Sequence, residues 1–449
     1  MKIIIAGAGR VGTHLAKLFA RENHNIIVLD ENPEKLNMLQ VNYDLMVKVM
    51  SPTSITGLKE IGVAHCDLFI GVTPDEDLNI NCCMMAGRLG AKRTVARVDS
   101  VEYLSKESQE YFKEMGISSM FIPEMVAAKE IVSSVERSWA RMWWEPDNGE
   151  GNLALIGVKV RQDCQILNIP LKNLTQKDAT YHVVAIKRGS DTLIPHGEDT
   201  IMPFDLVYFM TDKRNQDFIR QICGKNNYTK VEDVIIMGGG TTAVFTAQLL
   251  PGNMNIKIIE QDINRCYELN KQITSSNVMV IHGDGRDLSM LREENVDDTD
   301  AFIALTPNSE INIISCLTAK KMGVNKTVAM LDNINFIPMA ESLDIGTLIN
   351  KQAISASNIY RMILKADVSN VKSLMVANAD VAEFTAAPGS KITKKLIKDL
   401  KLPSTATLGG LIRNGKGQLI NGMTQVNEGD KVVAICIDNG MKALAAYFD

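Results

Sequence analysis

Asp67–Ile80 reads DLFIGVTPDEDLNI, and far downstream Asp300–Ile313 reads DAFIALTPNSEINI. Asp67 matches Asp300, Phe69 matches Phe302, Thr73 and Pro74 match Thr306 and Pro307, and Asn79 matches Asn312. The glycine clusters starting at Gly7 and Gly238 are offset by almost the same interval, so the two halves keep nearly one register. Such self-similarity marks an internal duplication and governs how every single motif is read. The later quarters repeat more faintly: LIPHGEDTIMPFDLVYFM (Leu193–Met210) parallels LINGMTQVNEGDKVVAIC (Leu419–Cys436). The expected order is therefore A–B–A′–B′, with bounds 1–145, 146–228, 229–365 and 366–449.

Within A, apolar runs alternate with helical stretches. KIIIAGAG, NIIVLD, LMVKVM, DLFIGVT and RTVARV read as strands, separated by segments such as RVGTHLAKLFARE and NINCCMMAGRLG. Strands rich in Ile and Val without alternation are covered on both faces, and helices between them imply right-handed crossovers in a parallel sheet. A′ repeats this order from VIIMGGG through NKTVAML. In B, NLALIGVKV, HVVAIKRG, TLIPHGED and DLVYFMTD are short strands broken by Gly, Pro and Asp, which predicts a small antiparallel α+β module.

The 449 residues carry 48 basic and 53 acidic side chains, a net charge of −5 that gives no general attraction to nucleic acid or anionic lipid. Aromatics at 5% leave few platforms for stacking bases. No run of about 20 apolar residues is present to span a bilayer, and MKIIIAGAGRVG does not read as a secretory signal. The eight cysteines form no CxxC pair and mostly sit in apolar stretches, as in LNINCCMMAG, which predicts buried reduced thiols in a cytoplasmic protein.

GAGRVG, comprising Gly7, Ala8, Gly9, Arg10, Val11 and Gly12, follows the first strand and opens the first helix. In that setting the first glycine makes a tight turn, the second admits a pyrophosphate and the third lets helix and strand pack closely. The helix-start amides then attract the phosphates. Asp30 ends the second strand, where a carboxylate takes ribose hydroxyls and repels a 2′-phosphate, favouring NAD(H) over NADP(H). The second copy reads Gly238, Gly239, Gly240, Thr241, Thr242 and Ala243, with Glu260 in the place of Asp30. Asp284, in HGDG, is placed to meet an adenine or ribose edge; the first copy has Met50, Ser51 and Pro52 there. Two nucleotide sites per chain are expected. The fold class is thus α/β, two Rossmann-like parallel-sheet domains, each followed by a small α+β module.

Thr73 and Thr306 lie just past the fourth strand, where a hydroxyl either touches the ligand or caps the next helix. Arg97 is a phosphate candidate present once, because its counterpart is Met330. The six histidines show no metal-ligand spacing, and no catalytic elbow or Walker loop occurs. PEMVAAKEIVSSVERSWARMWW (Pro123–Trp144) reads as a helix with Val126, Ile131, Val135, Trp139 and Met142 on one face, and SASNIYRMIL (Ser355–Leu364) is its equivalent. That face either packs within its own domain or crosses to another nucleotide-binding unit.

Together, GAGRVG, Asp30, DLFIGVT and NINCCMMAGRLGAKRTVARV, then GGGTTA, Glu260 and DAFIALT in the same order, resemble the TrkA family. These are peripheral nucleotide-binding subunits of Trk potassium-uptake systems, built from tandem regulator-of-K⁺-conductance (RCK) units. The resemblance covers the whole chain. It implies a homo-oligomer, a dimer or larger ring, on the cytoplasmic face of a membrane K⁺ translocation subunit. It further implies that NAD(H), or ATP and ADP, alter K⁺ flux without being consumed. The nucleotide contacts it implies are Gly7 to Val11, Asp30, Thr73, Pro74 and Arg97, then Gly238 to Thr242, Glu260 and Thr306. An NAD-dependent dehydrogenase and a scaffold with vestigial sites are the rival readings.

Overall fold

A computed structural model describes residues 1–20, 24–174, 180–363, 368–438 and 440–448. The first repeat runs β1 (Lys2–Ala6), α1 (Arg10–Ala20), β2 (Asn25–Asp30), α2 (Pro33–Asn42), β3 (Met46–Val49), α3 (Ile55–Glu60), β4 (Leu68–Gly71), α4 (Glu76–Arg88), β5 (Thr94–Arg97), α5 (Lys106–Glu114), β6 (Ser119–Phe121) and α6 (Pro123–Glu136). Its six parallel strands lie in the order β3-β2-β1-β4-β5-β6. The strand order reverses between β1 and β4, the place where open α/β sheets bind ligands at their carboxyl ends. β1 and β4 form the middle of the sheet, and Ile3, Ile4, Ile5, Leu68, Phe69 and Ile70 are wholly buried.

The first antiparallel module follows: β7 (Met142–Trp144), β8 (Leu153–Lys159), α7 (Leu171–Leu174), β9 (Tyr181–Arg188), β10 (Asp191–Leu193), β11 (Leu206–Asp212) and α8 (Gln216–Ile222). The second parallel repeat comprises β12 (Asp233–Met237), α9 (Thr241–Leu249), β13 (Asn255–Glu260), α10 (Ile263–Gln272), β14 (Val278–His282), α11 (Leu288–Glu293), β15 (Ala301–Ala304), α12 (Ser309–Lys321), β16 (Lys326–Met330), α13 (Ile337–Ser342), β17 (Thr347–Ile349) and α14 (Lys351–Ile363). It reproduces the same order, β14-β13-β12-β15-β16-β17. The last module holds β18 (Val368–Leu374), β19 (Ala379–Thr385), β20 (Ala406–Arg413), β21 (Lys416–Leu419), β22 (Lys431–Ile437) and α15 (Gly440–Ala445).

The two antiparallel sheets, β10-β9-β11-β8-β7 and β21-β20-β22-β19-β18, are the same arrangement strand for strand. They share a core in which Leu155, Tyr208 and Met210 of one meet Val381, Val433 and Ile435 of the other. Each is fastened at matching positions by an ion pair whose aspartate is buried and whose arginine is half-buried. Arg188 Nε and Nη2 donate to Asp205 at 3.0 and 2.7 Å, and Arg413 does the same to Asp430 at 2.9 and 2.6 Å.

Local chemistry explains the helix starts. Asn32, Ser54 and Asp75 cap α2, α3 and α4 with their side chains, and Asp262, Asp287 and Asn308 do so for α10, α11 and α12. Each satisfies amides that the first helical turn leaves open. α9 differs: it begins on Gly240 with no side-chain cap.

The compact units do not follow the sequence repeat. One unit comprises 1–126 with 351–363, and the other 127–350 with 364–449. In the first, α14 packs on α1; in the second, Ser134 of α6 donates to Thr347 of β17 at 3.0 Å. Each connecting helix thus contributes to the parallel sheet of the other repeat, the second of the two packings open to Pro123–Trp144. The helix itself is shorter than the sequence suggests. α6 ends at Glu136, and Met142–Trp144 is a strand paired with β8, so Trp139 and Met142 lie beyond the helical face. The sixth strand of each sheet also escapes the sequence reading, being only three residues long.

Candidate functional site

In the first unit the glycine loop leaves β1 and enters α1 beside the end of β4. Gly7 has φ +111°, and a side chain on it would press on Val72 and Thr73 at 3.0 Å. A methyl at position 12 would overlap the Gly7 carbonyl oxygen, whereas Gly9 has open space above it. The turn is therefore closed at Gly7 and Gly12 and open at Gly9, where a phosphate would approach. Asp30 staples this loop. Its Oδ2 accepts from the Ala8 amide at 2.7 Å and its Oδ1 from the Asn32 amide at 2.9 Å. A carboxylate oxygen accepts more than one hydrogen bond, so both retain capacity for a ribose hydroxyl.

The second copy has the same construction. Gly238 has φ +101° against Leu305 and Thr306. Glu260 Oε2 accepts from the Gly239 amide at 2.6 Å, and Oε1 from the Asp262 amide at 2.8 Å. With Gly240 lacking a capping side chain, the amides of Thr241 and Thr242 have no hydrogen-bond partner among the described residues. Arg265, which sequence reasoning passed over, holds the loop from outside: its Nε donates to the Gly239 carbonyl at 2.8 Å and its Nη1 pairs with Glu268. Its counterpart by register is Lys35, so the clamp is particular to the second site.

Thr73 is not the cap of the following helix. Its amide and hydroxyl both donate to Asn79 Oδ1 at 2.8 Å, and Asn79 Nδ2 donates to the Thr73 and Arg97 carbonyls at 3.0 and 3.1 Å. The cap of α4 is Asp75 instead, which accepts from Leu78. Asn312 repeats the arrangement with Thr306 and the Met330 carbonyl. The buried asparagines thus tie the ends of β4 to β5 and of β15 to β16, and they place Met330 in register with Arg97. Both asparagines matched in the duplicated sequence, but only the structure shows what they bind.

Pro74 and Arg10 are exposed beside the first loop. Arg97 Nη2 meets Asp99 at 3.3 Å while its Nε is buried without a partner. Lys351, the first residue of α14, pairs with Glu124 at 2.8 Å. Burial opposes ionisation of Glu124, but Lys351 and Arg97 prevail and hold its carboxyl below the usual range. This is a cationic rim made partly by a helix from the other repeat. The orphaned Arg97 nitrogen and the open glycine loop fit a nucleotide phosphate.

At the third strand the copies diverge by an exchange of volumes. Asp284 is held by Arg286 through bonds of 2.9 and 2.6 Å, which keeps its carboxyl below the usual range. In the first copy Ser51 stands there, bonded to Thr53 at 3.1 Å. Met50 fills the space over Gly57, while Met290 fills the space over Gly283. The methionine has changed sides, so the sequence difference at Met50–Pro52 conserves packing while removing the acid.

A glycine loop with a stapling carboxylate at the reversal of a parallel sheet, present twice and alternating with antiparallel modules, defines a tandem dinucleotide-binding-fold protein of RCK type. The TrkA-N domain family matches residues 3–123 and 234–351, and the TrkA-C domain family matches 381–449. Full-length relatives include the Trk system potassium uptake protein TrkA of Vibrio alginolyticus, 30% identical over 98% of this chain and 96% of that protein. That of Halomonas elongata is 28% identical with the same coverage. Among solved structures, the GsuK RCK domain superposes with a TM-score of 0.60 at 14% identity, covering 100% of this chain and 94% of that one. The GsuK channel bound to NAD gives 0.61 at 15% identity, covering 99% and 79%. The chain belongs to the TrkA family. No helix among the described residues is long and apolar enough to cross a membrane.

Proposed function

We propose that this chain is the nucleotide-sensing subunit of a Trk-type potassium uptake system, bound to the cytoplasmic face of a membrane K⁺ translocation subunit as a dimer or larger ring. NAD(H), or ATP and ADP, enters the clefts at the carboxyl edges of the two parallel sheets. Gly7, Ala8, Gly9, Arg10, Val11 and Gly12 receive the phosphates of one ligand, and Gly238, Gly239, Gly240, Thr241 and Thr242 those of the other. Asp30 and Glu260 take the ribose, Arg97 adds a cation to the first site, and Asp284 meets the adenosine side of the second. Thr73 with Pro74, and Thr306, form the wall of each cleft.

The observation that carries the reading is the matched staple, Asp30 to the Ala8 amide and Glu260 to the Gly239 amide. Ligand at the carboxylate bears directly on the loop that receives its phosphates. The bound nucleotide supplies negative charge and ribose hydroxyls to these groups. Full-length similarity to TrkA proteins supports potassium transport as the process served. A differential affinity worth about 1–3 kcal/mol between two arrangements of the clefts suffices for useful regulation.

Calorimetric titration of the full chain with NADH, NAD⁺, ATP and ADP tests this. Saturable binding that Asp30→Ala and Glu260→Ala each reduce, with no NADH oxidation, is expected. Binding unchanged in both variants, or stoichiometric turnover of NADH with a small substrate, overturns it.

A further inference from the structure

A concentration of positive charge away from the nucleotide clefts lies at the opposite, amino-terminal edge of the second parallel sheet. There Arg141, Lys159, Arg161, Lys225, Lys320 and Lys326 line one cleft, contained wholly within the second compact unit. Arg141, Lys159 and Arg161 come from β7, β8 and their flanks, Lys225 follows α8, Lys320 ends α12 and Lys326 begins β16. Three acids face them. The Asp344 carboxylate accepts from Arg141 and Arg161 and, at 2.9 Å, from Lys320. Glu341 stands 3.5 Å from Lys159, and Asp163 acts on Lys225 through space. Basic side chains thus outnumber the acids paired with them around this cleft.

Two of these lysines are the most buried members. Lys225 and Lys326 are each only 3% exposed. Lys326 Nζ donates to the Ala140 carbonyl at 2.9 Å and to Thr347 Oγ1 at 3.0 Å, both uncharged acceptors. Lys225 Nζ has no hydrogen-bond or ion-pair partner among the described residues and stands 5.5 Å over the Tyr228 ring. Its loop is nevertheless held firmly, because the Arg220 guanidinium donates to the Lys225, Asn226 and Tyr228 carbonyls. A buried cation with no hydrogen-bonded or ion-paired partner is costly. Here one is built into a braced loop and opens on a cleft shared with arginine forks suited to oxyanions.

We propose that this cleft binds a phosphate group, either inorganic phosphate or the terminal phosphate of a nucleotide. The group bridges Arg161 and Lys225 of the first antiparallel module to Lys320 and Lys326 of the second parallel sheet. It constitutes an effector site separate from both glycine loops.

The test is calorimetric titration of the full chain, in phosphate-free buffer, with inorganic phosphate and with ATP. The Asp30→Ala/Glu260→Ala double variant serves as background, so that failure of the nucleotide clefts and failure of this site give different results. Saturable binding of either probe is expected on that background, weakened about tenfold by Lys225→Met and by Arg161→Gln. Phosphate binding that ATP does not displace identifies free phosphate as the ligand, and ATP binding that excludes phosphate identifies a nucleotide. The absence of saturable binding by both probes, or binding unaffected by Lys225→Met and Arg161→Gln, overturns the proposal.

Discussion

Replacing Gly12 by alanine probes the construction of the first glycine loop against an internal control. The added methyl overlaps the Gly7 carbonyl oxygen and lies 3.0 Å from the Gly7 carbonyl carbon and 3.4 Å from Ile5 Cγ2. The obstacle is backbone, so no side chain can swing aside. Overpacking of this kind costs about 1–3 kcal/mol, and alanine inside a helix returns about 1 kcal/mol relative to glycine. The upper end of that range leaves a net loss of about 2 kcal/mol, or about 30-fold in population of the native loop. The second copy already carries a buried Ala243 at the matching place, so Ala243→Gly removes a methyl without a clash. In NADH calorimetry, Gly12→Ala should weaken one of two sites about 30-fold and spare the other, while Ala243→Gly leaves the first site untouched. A folded Gly12→Ala protein that titrates both sites as the wild type does would refute this account of the loop.

Three further outcomes follow from the same geometry. Asn79→Ala strands the Thr73 amide and two carbonyls in the interior and should cost about 3 kcal/mol. Urea unfolding of the first unit should show a lower midpoint at unchanged slope, as should the second unit in Asn312→Ala; a loss below about 1 kcal/mol contradicts the keystone role. The Glu124–Lys351 pair should contribute stability above the ordinary glutamate value of 4.5 and lose it as pH falls through the lower folded value. Glu124→Gln should therefore lower the melting temperature at neutral pH by about 2–4 °C and flatten the acid limb; an unchanged acid limb counts against the pair. Burial first, then Arg161 and Arg141, push the Lys225 ammonium down to about 8, with Asp163 and Cys223 acting the other way. Lys159 with Glu341, Lys320 with Asp344, Lys326 and Tyr228 are the other charged and titratable groups of the cleft. Phosphate affinity should fall as pH rises through about 8, because neutral Lys225 no longer attracts the anion. Lys225→Met should weaken that dependence, any remainder coming from Lys326 and Lys320, which burial also pushes down, and a slope unchanged in the variant counts against Lys225.

What the sequence disclosed was whatever local grammar and duplication encode. Buried runs such as KIIIA and DLFIG, the two glycine loops and the carboxylates closing β2 and β13 were all readable, because each sits in one short segment with a fixed periodicity. The exchange of α6 and α14 was not readable: an apolar helical face is equally satisfied by either parallel sheet, and chain connectivity does not choose. Thr73 and Thr306 were ambiguous for a related reason, since a hydroxyl near a strand end satisfies a ligand, a helix or a buried asparagine equally well. Arg188 and Arg413 were legible in principle. Their separation along the chain equals that of Asp205 and Asp430, so a repeat search on charged pairs would have found them. The basic cleft had no sequence signal, because its cations come from separate elements and loops scattered between Arg141 and Lys326.

The two copies also differ in ways that, under the proposed function, would make them unequal sensors. The first has Arg97 with the Glu124–Lys351 pair at its rim, and the second has the Arg265 clamp and Asp284. Unequal sites can respond to different nucleotide concentrations or to different nucleotides, and only differential affinity for two arrangements can bias a partner.

Under the proposed function, nucleotide occupancy is converted into potassium flux and not into chemistry. Potassium uptake should therefore be measured in vesicles holding the Trk-type translocation subunit and this chain, with NADH, NAD⁺, ATP or ADP varied and NADH oxidation followed in parallel. A saturable change in uptake that Asp30→Ala/Glu260→Ala abolishes, with NADH unconsumed, is expected. Uptake indifferent to all four nucleotides, or equally responsive in the double variant, contradicts it.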